Sequence, residues 1–416
     1  MAWKGEQSQT QAAPELRELG AGINIQAVAV GRLVRPLAGG SDLQNHFGSE
    51  PPNRLGPAMK AWLVLWCLSR AQECQDGCGA QFLQLKTETQ LTEHPWPHAR
   101  GRIPLQDGTT PETVSTGQKN WSWHDPLGPD FNLLAGGAVI DIDGNVFQNT
   151  QKGLHAFSRQ GDKLWFYDTP GMSNNEVTLY GDLVLGTTET GHAFALERTT
   201  GQPRWITKLA EDAGPDCGYP AAAEGIFVVG SKKGLDPRIS GGNQKVMGLN
   251  VHNGDKLWEY EPDLPVWNLT PLFVGDGSVV FMDFAGGTYR LNLTSGEAIW
   301  RNLPADSRRS FSDGGAGLGP NNMIYTCSNP GANAGWEGSA GIVRAFHLVS
   351  GSEAWHYLTE FPCNSYPSIG KLAGVESLAV VVTPGSFMGP TNLHGSILAL
   401  DAESGQALAT KGKIHT

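Results

Sequence analysis

The pentapeptide Gly-Asp-Lys-Leu-Trp occurs twice in this sequence, at 161–165 and at 254–258. A repeated word that contains tryptophan suggests an internal repeat, which is the first hypothesis to test because it determines the fold. The looser pattern Gly-x-x-x-Trp recurs with its tryptophan at Trp121, Trp165, Trp205, Trp258, Trp300 and Trp355. A last copy, GQALA, has Ala409 where the tryptophan is expected. Copies spaced by roughly 40 to 55 residues are typical of β-propeller blades.

The segments between these copies have the pattern of short strands. Examples are IFVVGS (226–231), SVVFMDF (278–284) and LAVVVTPG (378–385). They are rich in β-branched and aromatic residues and are bounded by Gly, Asn, Asp or Pro, as strands and their turns require. After about residue 118 no long stretch shows the 3.6-residue apolar spacing of a helix. We therefore expect an all-β region with about four strands in each unit.

The repeated tryptophans fall in the predicted fourth strand of each unit. A large flat ring in that position can bury apolar area against the neighbouring blade. This explains why the same word is repeated, because every blade needs the same contact. We interpret the six tryptophans as structural docking residues and not as catalytic residues.

The longer phrases ALERTTGQPRW, GLNVHNGDKLW, RLNLTSGEAIW and AFHLVSGSEAW share a glycine at place seven and a tryptophan at place eleven. They resemble the tryptophan-docking motif of the pyrroloquinoline-quinone (PQQ) repeat propellers. That superfamily contains quinoprotein alcohol dehydrogenases and also non-enzymatic members, such as the propeller lipoprotein of outer-membrane assembly. The resemblance covers 118–416 and implies a β-propeller of four-stranded blades. Because the motif is a packing device, it implies much less about function.

The number of blades follows from the number of complete units. Six four-strand units fit between Trp121 and Ala409, so we favour six blades. The phrase GQKNWSW (117–123) is then a spare strand that would close the ring by pairing with the last unit. A seven-bladed ring that uses part of 80–117 is the alternative.

The first part of the chain differs from the repeats. Residues 1–58 show no periodicity and are predicted to be disordered or a spurious extension of the natural product. Residues 59–73 have the charged start, short apolar core and polar exit of a signal peptide, and 74–117 form a linker. These features predict a secreted or lumenal protein. Sequons for N-glycosylation stand at Asn120, Asn268 and Asn292.

Charge and cysteine content narrow the classes of partner. The net charge is −11 and no basic cluster is present, which argues against a nucleic-acid partner. No apolar run reaches the length of a transmembrane helix. Cys74 and Cys78 are close enough to pair locally. Cys217 and Cys363 each precede a predicted inner strand, so they lie on one face, and blade geometry decides whether they meet.

Ligands of propellers commonly bind at the mouth of the central channel, where the inner strands begin. The residues that we select there are Tyr219, Trp267, Asp313 and Tyr366. Two Gly-rich insertions, 235–244 and 329–341, are the other candidate binding segments, and Trp336 in the second is a candidate exposed anchor. The alternative interpretation is that these residues have no binding role and serve as turn residues and packing aromatics.

The quinoprotein enzymes offer a sharper comparison. The resemblance implies PQQ in this mouth with a calcium or lanthanide ion, a Glu/Asn/Asp ligand set, a catalytic Asp, an Arg and often two adjacent cysteines. This sequence has no adjacent cysteines, and its Arg308 and Arg309 do not stand in a matching phrase. No catalytic residue is transferred, and no cofactor or metal is expected. DIDGN (141–145) is interpreted as a hairpin turn, since Lys152 stands where a calcium loop needs its distal Glu.

The sequence therefore favours a non-catalytic scaffold that binds a protein, peptide or glycan. The alternative is a PQQ-dependent oxidoreductase of the quinoprotein alcohol dehydrogenase type that uses a divalent cation. A third hypothesis, a polysaccharide-active propeller enzyme, would need paired carboxylates about 5 to 10 Å apart.

Overall fold

A computed structural model of the chain describes residues 94–98, 120–126, 136–173, 175–214, 218–234, 242–304, 312, 314–331, 339–385 and 394–415. Within these ranges the regular secondary structure consists of strands, and these form six four-stranded antiparallel sheets. The prediction of an all-β propeller of four-stranded blades is confirmed, and the described residues form six such sheets, the number that the unit count favours. The predicted extension at 1–58, the signal peptide at 59–73 and Cys74, Cys78 and Cys217 lie outside the described residues.

Each blade contains consecutive strands in chain order. Blade 1 contains β1 (Val139–Ile140), β2 (Val146–Thr150), β3 (Gly153–Phe157) and β4 (Lys163–Asp168). Blade 2 contains β5 (Thr178–Tyr180), β6 (Leu183–Thr187), β7 (His192–Glu197) and β8 (Pro203–Lys208). Blade 3 contains β9 (Ala221–Ala223), β10 (Ile226–Lys233), β11 (Asn243–Asn250) and β12 (Lys256–Tyr260).

The second half repeats this arrangement. Blade 4 contains β13 (Leu272–Phe273), β14 (Ser278–Met282), β15 (Thr288–Asn292) and β16 (Ala298–Asn302). Blade 5 contains β17 (Ala316–Leu318), β18 (Met323–Ser328), β19 (Gly341–His347) and β20 (Glu353–Thr359). Blade 6 contains β21 (Ser368–Lys371), β22 (Leu378–Val382), β23 (His394–Asp401) and β24 (Ala407–His415).

Middle strands such as β6 and β14 are largely apolar because both of their faces are covered by neighbouring blades. In β14, Val279 and Phe281 pack toward blade 3, whereas Val280 and Met282 pack toward blade 5. Five shared cores of this kind join blades 1 to 6 in succession. This double burial explains why strands such as SVVFM show no polar alternation.

Each repeated tryptophan is docked on the blade that follows it in the chain. Its indole Nε1–H donates to a backbone carbonyl of that blade's last hairpin, as between Trp165 and Arg198 (3.1 Å) or Trp258 and Leu293 (2.7 Å). The remaining pairs are Trp121 with Arg159, Trp205 with Val251, Trp300 with Leu348 and Trp355 with Ala402. The ring faces the glycine of the next repeat, and that glycine has a positive φ in every case.

Blade 1 receives its tryptophan from outside the six sheets. Trp121 faces Gly161 of blade 1, as the tryptophan of a preceding blade would. Trp123 lies beside it, with its ring centroid 4.7 Å from that of His155. His155 is buried among aromatic rings, and burial lowers its pKa to about 4. The predicted pairing of this segment with the last blade is not among the described strand pairs, in which β24 pairs with β23.

A disulfide joins blade 5 to the connection that leads into blade 6. It links Cys327 in β18 to Cys363, and both residues are fully buried. The sequence left a pairing of Cys217 with Cys363 open, and the structure gives Cys363 a different partner. Cys327 lies in the strand that ends beside this connection, so the two cysteines meet although they are 36 positions apart.

The docking contact predicts that alanine substitution of two glycines in blade 4 lowers stability by different amounts. A Cβ added at Gly296 (φ 71°) would lie 2.7 Å from the Trp258 ring, whereas a Cβ added at Gly277 (φ 80°) would meet open space. We expect Gly277→Ala to cost about 1–2 kcal/mol of unfolding free energy, from backbone strain alone. Gly296→Ala adds overpacking and is expected to cost about 1–3 kcal/mol more. Urea unfolding of both variants measures the difference, and equal losses would contradict the docking role.

Candidate functional site

The blade topology places two sets of connections on one end of the molecule. Strands run alternately up and down within a blade, so the link from each blade to the next and the turn between its second and third strands lie at the same end. We call this end the connection face. The described parts of the two predicted insertions belong to it, with Gly242 before β11 and Asn329 directly after β18. Residues 235–241 and 332–338 lie outside the described residues.

Backbone hydrogen bonds join the segments that lead into neighbouring inner strands. The amide of Glu176 donates to the carbonyl of Gly218 (3.4 Å), and that of Tyr219 donates to Leu269 (2.8 Å). Gly218 and Leu269 form a parallel bridge. The starts of the inner strands of blades 2, 3 and 4 are therefore fixed relative to one another.

The structure brings three of the predicted mouth residues to this face. Tyr219 makes the backbone contact just described. Trp267 is half-buried and packs on Phe284 and Ala285 of the same blade. Tyr366 lies over Gly315, and its hydroxyl group is 2.8 Å from that of Thr270. Asp313 and Trp336 lie outside the described residues, so their roles stay predictions.

Buried polar side chains hold the connections against the ends of the second strands. Asn149 donates to the Ser173 hydroxyl (2.5 Å) and the Asn175 carbonyl (2.6 Å). In blade 5, Asn329 accepts the amide hydrogen of Cys363 (2.6 Å). These bonds satisfy backbone groups that the irregular connections would otherwise bury unpaired. The result is a rigid base for the surface of the connection face.

Asp283 is the most strongly perturbed carboxylate of this face. Its Oδ1 accepts hydrogen bonds from the amides of Ala285 (2.9 Å) and Gly287 (2.8 Å). Its Oδ2 accepts one from the Tyr289 hydroxyl (2.8 Å), which also contacts Asp263. Burial raises the pKa of Asp283 to about 6, although the hydrogen bonds from Tyr289 and the two amides lower it. The pKa of Tyr289 is raised by burial and by the neighbouring carboxylate.

A short segment that the sequence assigns to the linker contacts the inner strands of the blades. We call residues 94–98, His-Pro-Trp-Pro-His, the axial segment. Trp96 forms an antiparallel bridge with Ile140 at the free edge of β1. The carbonyl of Pro97 accepts the amide hydrogen of Leu179 in β5 (2.8 Å), and His98 Nε2 is 3.0 Å from the carbonyl of Tyr219. His94 and His98 are both buried.

The DIDGN phrase forms a turn at the opposite end of blade 1. Asp141 Oδ1 accepts the amides of Asp143 (3.0 Å) and Asn145 (2.7 Å), and Oδ2 accepts from Arg198 of blade 2. The carboxylate is thus used by the turn and by one ion pair between blades. Among the described residues, no group of three or more His, Cys, Asp or Glu has a geometry that would hold a metal ion.

The glycosylation candidates differ in their surroundings. Asn120 and Asn292 are exposed. Asn292 also accepts the amides of Thr294 and Ser295 in its hairpin turn. Asn268 is half-buried with a positive φ of 49°, and the Thr270 of its sequon is 5% exposed. Asn292 therefore offers the more accessible of the two sequons within blade 4.

The sequence analysis does not identify two elements of this region. Asp283 stands in an ordinary-looking turn, MDFAGG, and only the fold shows that it is buried. The axial segment lies outside the repeats, so periodicity says nothing about it. The sequence predicts only its local conformation, because two prolines on either side of a tryptophan favour an extended backbone.

The site and fold define a class, namely a propeller whose blades are joined by tryptophan docking. The sequence model of the family described as "Outer membrane protein assembly factor BamB" matches residues 150–316. Quinoprotein alcohol dehydrogenase PedH of Pseudomonas putida is 29% identical over 154 residues, which is 34% of this chain and 23% of that protein. The chain therefore spans less than a quarter of that relative's length in the match.

These matches make the chain similar to PQQ-repeat propellers over part of its length, residues 150–316 in the family match. Two solved structures are similar in fold at low identity. BamB from Moraxella catarrhalis has a TM-score of 0.48 at 17% identity, covering 67% of this chain and 75% of that one. A europium-containing methanol dehydrogenase has a TM-score of 0.46 at 15% identity, covering 67% of this chain and 68% of that one.

The environment of Asp283 predicts a pH dependence of stability. Its folded pKa of about 6 lies above the ordinary value of 3.8, so folding takes up a proton between these values. Its contribution to stability is present below pH 4 and is lost as the pH rises through 6. Asp283→Asn keeps the shape without the charge, so the variant should gain stability relative to the wild type as the pH rises from 4 to 7. Urea unfolding across this pH range measures the difference in unfolding free energy between the variant and the wild type. A difference that does not change with pH would contradict the raised pKa of Asp283.

Proposed function

We propose that this protein is a non-catalytic propeller scaffold that binds a protein or peptide partner at its connection face. The observation that carries the proposal is the rigid base described above, which presents apolar side chains to solvent. Met172 and Leu303 lie on connections between blades and are 46% and 38% exposed. Trp267 and Tyr366 add half-buried aromatic rings to the same face. Fixed apolar and aromatic groups of this kind are the usual anchors of protein interfaces.

The compartment is part of the proposal. A buried disulfide between Cys327 and Cys363 supports an oxidising environment, since such bonds are rare in the cytosol. This agrees with the signal peptide that the sequence predicts at 59–73. Among the described residues no helix is long and apolar enough to cross a membrane. We therefore propose a secreted or lumenal scaffold. The glycan partner stays a prediction from the sequence.

Photo-crosslinking tests the partner surface. A photoreactive phenylalanine analogue is placed at Met172 or Leu303 in the full chain and expressed in cells that process it. Matched controls carry it at Leu257 or Ile299, which are 46% and 47% exposed on the outer strands. We expect both connection-face positions to give one adduct of the same mass that the controls lack. Adducts from the outer strands alone, or none from the connection face, would refute the proposal.

The match to a quinoprotein alcohol dehydrogenase favours one second candidate, a PQQ-dependent oxidoreductase. The described mouth residues do not fit that cofactor. The Tyr219 carbonyl faces His98, and the hydroxyls of Thr270 and Tyr366 face each other. These polar groups are occupied by contacts within the chain, and none is a carboxylate paired with an arginine. We therefore assign no catalytic step.

Titration with PQQ and calcium tests this second candidate. Tryptophan fluorescence reports binding, and dye-linked alcohol oxidation reports turnover. We expect neither a saturable signal nor turnover at high micromolar PQQ. Saturable binding with turnover would replace the scaffold proposal with an enzymatic one.

A further inference from the structure

The axial segment is bound as an extended peptide binds to a sheet edge. Trp96 and Ile140 exchange two backbone hydrogen bonds, of 3.3 and 2.8 Å. The carbonyl of Pro97 accepts from the amide of Leu179 and also from the Thr178 hydroxyl (3.1 Å). Inner strands end their sheets, so the inner edge of each blade carries unpaired backbone groups that accept such a strand.

Two histidines attach the ends of the segment to different blades. His94 Nε2 is 2.9 Å from the carbonyl of Gly181, and its Nδ1 accepts the amide hydrogen of Ile142 (3.2 Å). Both contacts are satisfied together by the neutral tautomer with the proton on Nε2. His98 reaches the Tyr219 carbonyl beside blade 3. The five residues thus connect the inner edges of blades 1, 2 and 3.

The prolines suit this environment. Proline has no amide hydrogen, so Pro95 and Pro97 bring no donor that would be left unpaired at the buried edge. Each proline also restricts the residue before it to an extended backbone, which reduces the entropy lost when the segment is ordered. Trp96, between them, provides the one amide that bonds to β1.

We propose that the inner edges of blades 1 to 3 form a peptide-binding site for an extended Pro-Trp-Pro segment flanked by histidines. The axial segment is the resident occupant, and a partner segment of the same chemistry exchanges with it. This inference rests on the proposed function only in taking the partner to be a protein. The site is separate from Met172 and Leu303, so the crosslinking result stands whether or not exchange occurs.

The resident occupant has the advantage of being attached to the blades. A segment tethered to its own site has a high effective concentration there, so a free peptide of equal intrinsic affinity competes poorly. Weakening the resident without changing the blades should therefore expose the site. Removal of the imidazoles of His94 and His98 does this, because these rings belong to the occupant and not to the edge.

Binding of a synthetic peptide tests the proposal. The probe is a fluorescein-labelled peptide with the sequence of residues 91–101, and the protein is the full chain with His94→Ala and His98→Ala. We expect the peptide to bind this variant at least about tenfold more tightly than the wild type, because the tethered competitor is weakened. A control peptide with alanine in place of both prolines and the tryptophan should not bind. Fluorescence anisotropy measures both.

A second substitution tests whether the peptide binds at the edge of β5. Adding Thr178→Val removes the hydroxyl that donates to the Pro97 carbonyl, and it should weaken peptide binding several-fold, about the effect of one hydrogen bond. Absence of binding to a variant that keeps the wild-type circular dichroism and melting temperature would overturn the proposal. So would equal binding of the control peptide.

Hydrogen exchange on the wild-type chain gives a readout that needs no variant. Excess unlabelled peptide should remove protection from the amide of Trp96, which leaves the edge. The amide of Leu179 should stay protected, because the Pro97 carbonyl of the peptide replaces that of the chain. Unchanged protection of Trp96 at millimolar peptide would show that the segment is a permanent part of the fold and would overturn exchange.

Discussion

The contact between a tryptophan of one blade and a glycine of the next is the constraint on which this structure depends. Each ring lies on a hairpin whose glycine has a positive φ and no side chain, and each indole donates to a carbonyl of that hairpin. Both requirements come from one short phrase, so a single repeated motif fixes how successive blades sit against each other. The buried faces of the middle strands then supply the apolar area of the shared cores.

The functional surface follows from the same repetition. Because every blade is built alike, the links between blades and the turns between second and third strands all lie at one end, and their backbone groups must be satisfied there. Asn149, Asp283 and Asn329 do so from the ends of the second strands. Asn149 donates to a backbone carbonyl, whereas Asp283 and Asn329 accept backbone amide hydrogens. The scaffold is therefore regular, whereas the surface that it carries can vary from blade to blade.

The sequence predicts what is local or repeated. Trp165 and Gly201 are predictable because the motif recurs, and so is the strand content of each unit. The partner of Cys363 is not, since Cys327 lies 36 positions away and the two meet only after the blades form. The hydrogen-bond partners of Asp283 in its own hairpin are close in sequence, but its burial depends on the fold. Trp267 and Tyr366 could be selected from their place before an inner strand, but not their contacts. The axial segment lies outside the repeat and is shown only by its hydrogen bonds.

The axial segment precedes every blade in the chain, and this order affects how the protein is made. Synthesis delivers 94–98 first and then blades 1, 2 and 3, whose inner strands are the ones that contact it. Each new inner strand can thus be added beside a peptide that is already present. The same segment placed after blade 6 would be synthesised last and would reach these edges only after the inner strands had formed. The position of these five residues in the sequence therefore decides the order of assembly. Either the inner strands form beside the segment, or the segment binds to inner strands that are already formed.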